Sequence, residues 1–455
     1  MKIKLKMKIL ILPHQLFEIT KIKSALPKSV KLSSTDFILW EHPQYFTKYN
    51  FNKKKLLLHR ATLKYYEAYL KSKKVKSITY LDYKNKDADL LNQLENNKEY
   101  LVFDPIDKIT LPGNPVFLES PNFLLTKDDY LEYRKKTDKF LFNNFYMWSK
   151  DKLNILKGIK SQDKLNRQKL PKDIVIPPLP KLSSNDNKCI TLAIKYVEKR
   201  FPNNYGSSEN FHYPITHASA KKWLRAFLTK KFENFGPYQD AIIQGESFLF
   251  HSILSSSINI GLLNPTDIIK EVLKFKNKVP LPSLEGYIRQ LFWREYQRYT
   301  YIHYDFTNKN YFGNSKKLSK KWYNGTVGMK PVDDCIQKGF KTAYLHHIER
   351  LMVVGNFMNL YGLHPMEGLK WFMEFSIDSY EWVMYQNVLD MVFFVSGGAT
   401  MRKPYASSSN YILKMSDYKP GEWSEKWNEY YQKFMKKNKE KLWKYRYHFP
   451  ALSKM

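Results

Sequence analysis

The sequence predicts an α/β domain followed by a large all-helical one, on three observations. Short apolar strand signals alternate with helical patterns over the first ~130 residues. A stretch with four prolines, "KLPKDIVIPPLPKLSSND", then reads as a stiff, extended linker. Beyond Lys188 strand signals nearly vanish and one helical periodicity follows another. These observations divide the chain into an α/β domain over residues 1–147, a linker over 148–187 and an all-helical domain over 188–455, with no internal repeat.

The first strand is expected at Lys8–Leu12. The basic start "MKIKLKMKILIL" has too short an apolar run for a signal peptide, and no small-residue cleavage site follows it, so Ile9–Leu12 reads as buried strand. Further strands are expected at Asp36–Trp40, Ser77–Asp82 and Tyr100–Phe103. A helix over Lys53–Lys73 carries Leu56, Leu57, Ala61, Leu63 and Tyr66 on one stripe, and a second is expected over Lys127–Met147. "PGNPVFLESPNFLLT" between them reads as extended or loop. The later periodicities predict helices over Ile190–Arg200, Ala218–Lys230, Gln244–Ile258, Asn264–Phe275, Leu284–Tyr301, Asp333–Tyr361, Pro365–Ser376 and Ser424–Tyr445.

Composition narrows the function. Lys and Arg number 75 against 43 acids, a net charge of +32 that points to a polyanionic partner, nucleic acid first. An AT-rich coding bias accounts for the preference for Lys over Arg but not for that imbalance. Aromatics make up 16% of the chain, which suits stacking on planar ligands although most will be core. Cys189 and Cys335 are the two cysteines, so a disulfide framework and a zinc or iron–sulfur site with four cysteine ligands are excluded, and a reducing intracellular compartment is expected. No apolar run reaches membrane-spanning length.

"TAYLHHIERLMVVGNFMNLYG", Thr342 to Gly362, holds adjacent histidines at the head of an amphipathic pattern. Neighbours on a helix stand about 100° apart. His346 and His347 therefore cannot both join the stripe of Ile348, Leu351, Met352 and Phe357, and for an isolated pair the reading is one core and one surface histidine.

Six segments in order carry a resemblance: "FGPYQDAI" (235–242), "LFHSILSSSINIGLLNP" (249–265), "LEGYIRQLFWREY" (284–296), "AYLHHIERLMVVGNF" (343–357), "WFMEFSIDSYEWV" (371–383) and "MRKPYASSSNYILKMSDY" (401–418). Together they resemble the cryptochrome/photolyase family, and more narrowly its bacterial branch of iron–sulfur (6-4) photolyases and cryptochromes. The N-terminal half matches weakly, mainly in "ILPHQL" and "FILWEHPQYF". The resemblance implies an α/β antenna-type domain, a connector and an all-helical domain that binds FAD.

By resemblance, Ser252, Leu254 and Ser255 grip the FAD phosphates with Tyr238 beside them, and Gln290 and Arg294, four apart on one helix face, look onto the flavin. Trp293 on that helix is implied to pack against a DNA lesion; Lys403 is expected among the phosphate contacts that the net charge of +32 supports. Arg350 and Asp378 fall on the family's salt bridge above the flavin ring, and an unpaired buried charge would be costly, so the two are expected to meet. Trp371 falls on the inner position of the aromatic electron relay and Tyr323, with Trp322 adjacent, near its outer end, while Phe372 stands where a Tyr can occur. A ribityllumazine-type antenna is implied for the branch, with Glu41 at the position of its acidic neighbour.

Two departures stand out. The position facing flavin N5, commonly Asn, Asp or Glu, is Met384, whose thioether cannot serve N5–H, which leaves Asn387 as a substitute. The first two positions of the branch's cluster cysteines read Pro331 and Lys419, so no iron–sulfur cluster is expected, and Trp423, Trp427, Tyr430 and Tyr431 are expected to hold that region by packing.

The expected function is blue-light-driven, FAD-dependent repair of pyrimidine (6-4) photoproducts in UV-damaged DNA, by a DNA photolyase acting as a monomer. The histidines decide the lesion. (6-4) repair must return a hydroxyl between bases, which needs a proton donor, and histidine suits that role. By resemblance the donor is His347, with His346 supporting it and Tyr405 positioning the lesion. The second active-site histidine of the eukaryotic enzymes is Leu351 here. The alternatives are a cyclobutane pyrimidine dimer photolyase and a cryptochrome-like photoreceptor without repair. A chain end without a long acidic tail favours repair.

Overall fold

Strand β1, Lys8–Ile11, is a continuous apolar run whose Ile9, Leu10 and Ile11 are fully buried. Burial on both faces is the mark of a central strand in a parallel sheet. The computed structural model describes residues 7–94, 99–449 and 452. Residues 1–6, the basic start of the chain, lie outside that set. Among the described residues β1 is joined by β2 (Asp36–Trp40), β3 (Ser77–Leu81), β4 (Glu99–Phe103) and β5 (Asn114–Leu118), all parallel, in the order β3-β2-β1-β4-β5. Leu10, Ile38, Trp40, Leu81, Tyr100 and Val102 of the sheet form one buried cluster with Leu12 after β1 and with Leu90 and Leu94 of the helix Asp87–Gln93 and its end.

β5 is the strand that sequence alone left as extended or loop. It lies at the sheet edge, Val116 and Phe117 are exposed, and Pro115 interrupts its donors, so neither alternation nor a continuous apolar run marks it. The helix Lys53–Ser72 is capped by Asn52, whose side chain accepts from Lys54 N at 3.0 Å. The helix Ser184–Arg200 opens on a capping box in which Ser183 and Asp186 satisfy each other's backbone at 3.1 Å.

Contacts divide the chain into two units, each of three stretches: 1–128, 178–229 and 252–272 in the first, 129–177, 230–251 and 273–455 in the second. The sequence reading cuts linearly at 147 and 187, because composition registers neighbours along the chain and not which helices pack together.

Four expected helices differ. Residues 244–254 are not helical: Leu249 and Ile253 take positive φ of 36° and 56°, and helix covers Ser255–Asn259 alone. Asp333–Tyr361 is not continuous. A helix ends at Thr342, Ala343 adopts φ 57°, and the chain resumes as a wide π-helical turn, Glu349–Gly355, followed by α-helix Asn356–Tyr361. Lys127–Met147 splits into Lys127–Lys136 and Phe142–Leu153. Ser424–Tyr445 becomes Glu422–Lys437 with shorter turns after Asn438. The long helix Leu281–His303 covers its expected range.

Candidate active site

The break at Ala343 sets the two histidines. His346 falls in the irregular segment and is 2% exposed, whereas His347 begins the next helical turn with 40% of its side chain exposed. Burial holds the His346 imidazole well below its ordinary pKa, so its Nε2, 3.5 Å from Glu349 Oε2, belongs to a neutral ring. Glu349 is itself buried, carries a raised pKa for that reason, and pairs with Lys338.

His347 Nε2 has two partners from the segment 239–240. Asp240 Oδ1 lies 3.4 Å away and Gln239 Nε2 also 3.4 Å. Gln239 is fixed from behind, because Asn166 Nδ2 donates to its Oε1 at 3.0 Å, which turns the amide NH₂ toward the imidazole. Gln239 can thus meet a bare Nε2 and Asp240 a protonated one, so each protonation state of that nitrogen has one partner. Asp240 also accepts from Tyr411 Oη at 3.1 Å and faces Arg167 Nε at 3.6 Å. Arg167 pairs with Asp163 at 2.5 Å, and Asp163 with Arg289 at 3.0 Å.

Tyr405 joins the same group. Burial raises its pKa, and Asp163 and Asp240 are close enough to raise it further. Lys403 is half-buried, with its pKa lowered by burial and then by Arg167. The second unit therefore brings His347, Tyr405 and Lys403 around residues that sequence reasoning missed: Asp240, Gln239, Asp163, Arg167 and Tyr411. Gln239 and Asp240 lie inside the quoted "FGPYQDAI", which was the available signal.

Arg350 and Asp378 pair through Nη1–Oδ1 at 2.9 Å and Nη2–Oδ2 at 3.3 Å, with Arg350 Nε donating to Leu345 O at 2.6 Å. Ser376 Oγ donates to Asp378 Oδ1. The π-helical turn that carries Arg350 is matched by a second one, Tyr385–Val392, directly after Met384. Such turns recur at functional sites because they re-aim side chains.

A family model described as "Deoxyribodipyrimidine photo-lyase-related protein" matches residues 9–213. The chain is 38% identical over 295 residues to a (6-4) photolyase of Agrobacterium fabrum, over 62% of this chain and 58% of that protein. It thus spans little more than half of that relative's length. An uncharacterized protein of Acanthamoeba polyphaga mimivirus is 45% identical over 109 residues, 23% of this chain and 84% of that one. The crystal structure of a bacterial class III photolyase from Agrobacterium tumefaciens superposes with a TM-score of 0.58 at 14% identity, over 96% of this chain and 87% of that one, which shows the fold alone. The chain is thus similar to photolyases in sequence and shares their fold.

The residues present fit the dinucleotide of this family in part. In the first unit, Leu254 is buried and Ser252 and Ser255 are half-buried. Beside them Ser256 Oγ and Ser257 Oγ are buried without a hydrogen-bond partner among the described residues, which leaves donors of the kind a diphosphate takes. In the second unit, Arg294 is buried, its pKa lowered by burial to about 10, and its guanidinium lies 4.9 Å from the Trp382 ring. Gln290 sits one turn before it, half-buried, and Tyr238 is half-buried against Phe250. Met384 is buried, and the Asn387 amide donates to Val383 O at 3.0 Å within its own helical turn. The position expected to face flavin N5 thus carries a thioether, and the expected substitute Asn387 is engaged elsewhere.

The aromatics expected to form an electron relay are only partly joined. Trp371 is fully buried and its Nε1 donates to Trp322 O at 2.7 Å. Tyr323 meets Phe340 at 5.7 Å between ring centroids, Phe340 meets Trp371 at 5.8 Å, and Tyr323 Oη donates to Glu374 at 2.6 Å. A phenylalanine thus stands between Tyr323 and Trp371. Trp322, buried, reaches toward Tyr361 at 5.8 Å instead. Trp293 lies flat on Phe142 at 3.6 Å, so one of its faces is covered.

Glu41 does not suit the antenna contact assigned to it. It is fully buried; Oε1 accepts from Arg60 at 2.8 Å and Tyr80 Oη at 2.7 Å, and Oε2 from Tyr83 N at 3.2 Å and Tyr196 Oη at 2.9 Å. A carboxylate has about four lone-pair sites, and all are taken within the first unit. Pro331 opens the helix Lys330–Thr342, and Lys419 is exposed, its carbonyl accepting from Trp423 Nε1 at 2.9 Å. Trp427 is fully buried against Phe357 at 5.2 Å, and Tyr430 meets the same ring at 5.2 Å. Among the described residues, no helix is long and apolar enough to cross a membrane.

Proposed function

We propose that this chain is a blue-light-driven DNA photolyase of the (6-4) type. The observation that carries the reading is the imidazole of His347, half-exposed and held at Nε2 between a donor and an acceptor, Gln239 and Asp240, each at 3.4 Å. When bound, reduced FAD would supply the light-driven electron chemistry, and the protein's own residues hold the cofactor, the lesion and the proton.

The residues that would hold FAD are Ser252, Leu254 and Ser255 of the first unit, for its phosphates, and Tyr238, Gln290, Arg294, Arg350 and Asp378 of the second, while Met384 offers it no hydrogen bond and Asn387 is engaged with Val383 O. Asp240 holds the proton at His347 Nε2 until it is needed, and Gln239 takes up the bare nitrogen afterwards. His346, neutral and buried behind its neighbour, keeps the ring pair apolar and fixed. Tyr405, Lys403 and Trp293 would receive an extrahelical base and its phosphates, since a lesion must leave the stack to be repaired. Trp371, Trp322 and Tyr323 would supply electrons from the surface. No iron–sulfur cluster enters this reading, since the chain has two cysteines.

The test is repair under blue light of two oligonucleotides, one carrying a (6-4) photoproduct and one a cyclobutane dimer. Wild type should repair the first. His347→Asn should retain flavin and photoreduction yet lose repair by about 10²-fold or more, the range for a lost general acid. Near wild-type (6-4) repair by His347→Asn removes the donor assignment. Activity on cyclobutane dimers alone would make the chain a photolyase of the other specificity, and no repair by a flavin-bearing protein would favour the photoreceptor reading.

A further inference from the structure

His251, His346 and His347 come together although 95 residues separate the first from the second. Their ligating atoms all lie within 4.8 Å of one another. The chain has 11 histidines, and three of them converge at this one point. The rings of His251 and His346 stack at 4.8 Å with 14° between planes, and His347 stands edge-on to both, at 5.7 and 6.1 Å.

Two of the three rings are deeply buried, His251 at 8% and His346 at 2% exposure. His251 Nε2 and His346 Nδ1 have no hydrogen-bond partner among the described residues. Buried imidazole nitrogens left open in this way are uncommon, because each forfeits a hydrogen bond to water. The charge environment of both rings is mixed. Lys231 and Lys338 act on the pair as cations, while Asp240 and Glu349 lie 3.4 and 3.5 Å from the Nε2 atoms of His347 and His346. A carboxylate behind a histidine fixes its tautomer and raises its basicity as a metal ligand.

We propose that His251, His346 and His347 form a three-histidine site for a borderline divalent cation of the Zn²⁺ class, with the fourth position open. Imidazole nitrogens suit Zn²⁺, and three protein ligands plus an open position is a recurrent arrangement. Zn–N distances of about 2.0–2.1 Å put ligand nitrogens roughly 3.3 Å apart in a tetrahedron. The widest pair must therefore close by about 1.5 Å, and His347, half-exposed and held only by two polar contacts of 3.4 Å, is the ring that would shift. The site does not depend on the repair reading.

The test uses the full chain, stripped by a chelator and dialysed against Zn²⁺, with bound metal measured per chain. Wild type should hold one equivalent. His251→Ala and His347→Ala should each bind at least about tenfold more weakly, since even partners behind a ligand are worth that much. His448→Ala, at an exposed histidine elsewhere, should bind as wild type does. His347→Ala decides the matter if the buried His251→Ala does not fold. Co²⁺ in place of Zn²⁺ should give the ligand-field bands of nitrogen coordination without thiolate charge transfer. Absence of a stoichiometric equivalent, equal affinity in all variants, or a thiolate band implicating Cys189 or Cys335 would overturn the proposal.

Discussion

Arg350 and Asp378, 28 residues apart, meet as a bidentate pair at 2.9 and 3.3 Å with side chains 15% and 9% exposed. The carboxylate is held in turn by Ser376, and the guanidinium by Leu345 O. Removing one member of such a pair leaves the other charge buried alone, at a cost of about 3 kcal/mol or more. Asp378→Ala should therefore lower the urea midpoint and, on the proposed function, release flavin during purification. A variant with unchanged midpoint and unchanged visible absorbance would show that the pair supports neither.

The orientation of Gln239 toward His347 depends on Gly286. A Cβ built there meets Asn166 Nδ2 at 2.8 Å and Gln239 Oε1 at 3.3 Å, the two ends of the hydrogen bond that aims the amide. Gly286→Ala gains about 1 kcal/mol of helix propensity but overpacks a filled site at a cost of about 1–3 kcal/mol. The expected result is a small net loss of stability, with repair falling by about tenfold, or 1.4 kcal/mol of transition-state free energy, while flavin retention stays intact. Unaltered repair would mean that Gln239 does not tune His347.

Acid should destabilise the protein earlier than its carboxylates alone would. Burial lowers His14 to about 3 and His42, His212 and His217 to about 4, from an ordinary 6.5, and holds His251 and His346 well below it. As pH falls through 6.5 the unfolded chain takes up protons that the folded chain does not. Stability is then lost, by up to about 1.4 kcal/mol per pH unit for each histidine, until the folded values are passed. Glu349 and Asp390, raised by burial, act in the opposite sense, but they are outnumbered. Urea unfolding at about pH 7 and about pH 5 checks this; equal free energies would contradict it.

What the sequence revealed and what it hid have physical causes. The three inner strands were readable because β1, β2 and β4 are apolar almost throughout, and β5 was not because its edge position exposes Val116 and Phe117. Helical angles predicted one core and one surface histidine, and the exposures are 2% and 40%, but the break at Ala343 rather than helical spacing sets them, since His346 precedes the helical turn that His347 begins. Residues 244–254 carried an apolar period yet do not form a helix, because Leu249 and Ile253 are held at positive φ by tertiary packing that no local propensity signals. Ala343 ends its helix in the left-handed region where glycine would have announced the stop. Asp240 and Gln239 stand beside His347 across more than 100 residues, a proximity that periodicity cannot encode. The pairing of Arg350 with Asp378 was legible only through motif resemblance and the cost of leaving either charge alone.

DNA binding, on the proposed function, should be dominated by phosphate contacts and weaken steeply with salt. The net charge of +32 supplies the attraction. Each phosphate neutralised releases counterions and contributes about 0.9 to the slope of log affinity against log salt. Lys403 is a specific contributor. It is half-buried beside Tyr405, and Arg167 and its own burial lower its pKa, so a phosphate at that point would relieve the repulsion between two cations. Lys403→Ala should weaken binding of damaged and undamaged DNA alike and reduce the slope by about one unit, leaving flavin retention unchanged. Titrations of a labelled duplex at several salt concentrations measure both quantities. A variant with the wild-type slope would remove Lys403 from the phosphate contacts, and a wild-type affinity insensitive to salt would remove the electrostatic basis for reading this chain as a DNA-binding protein.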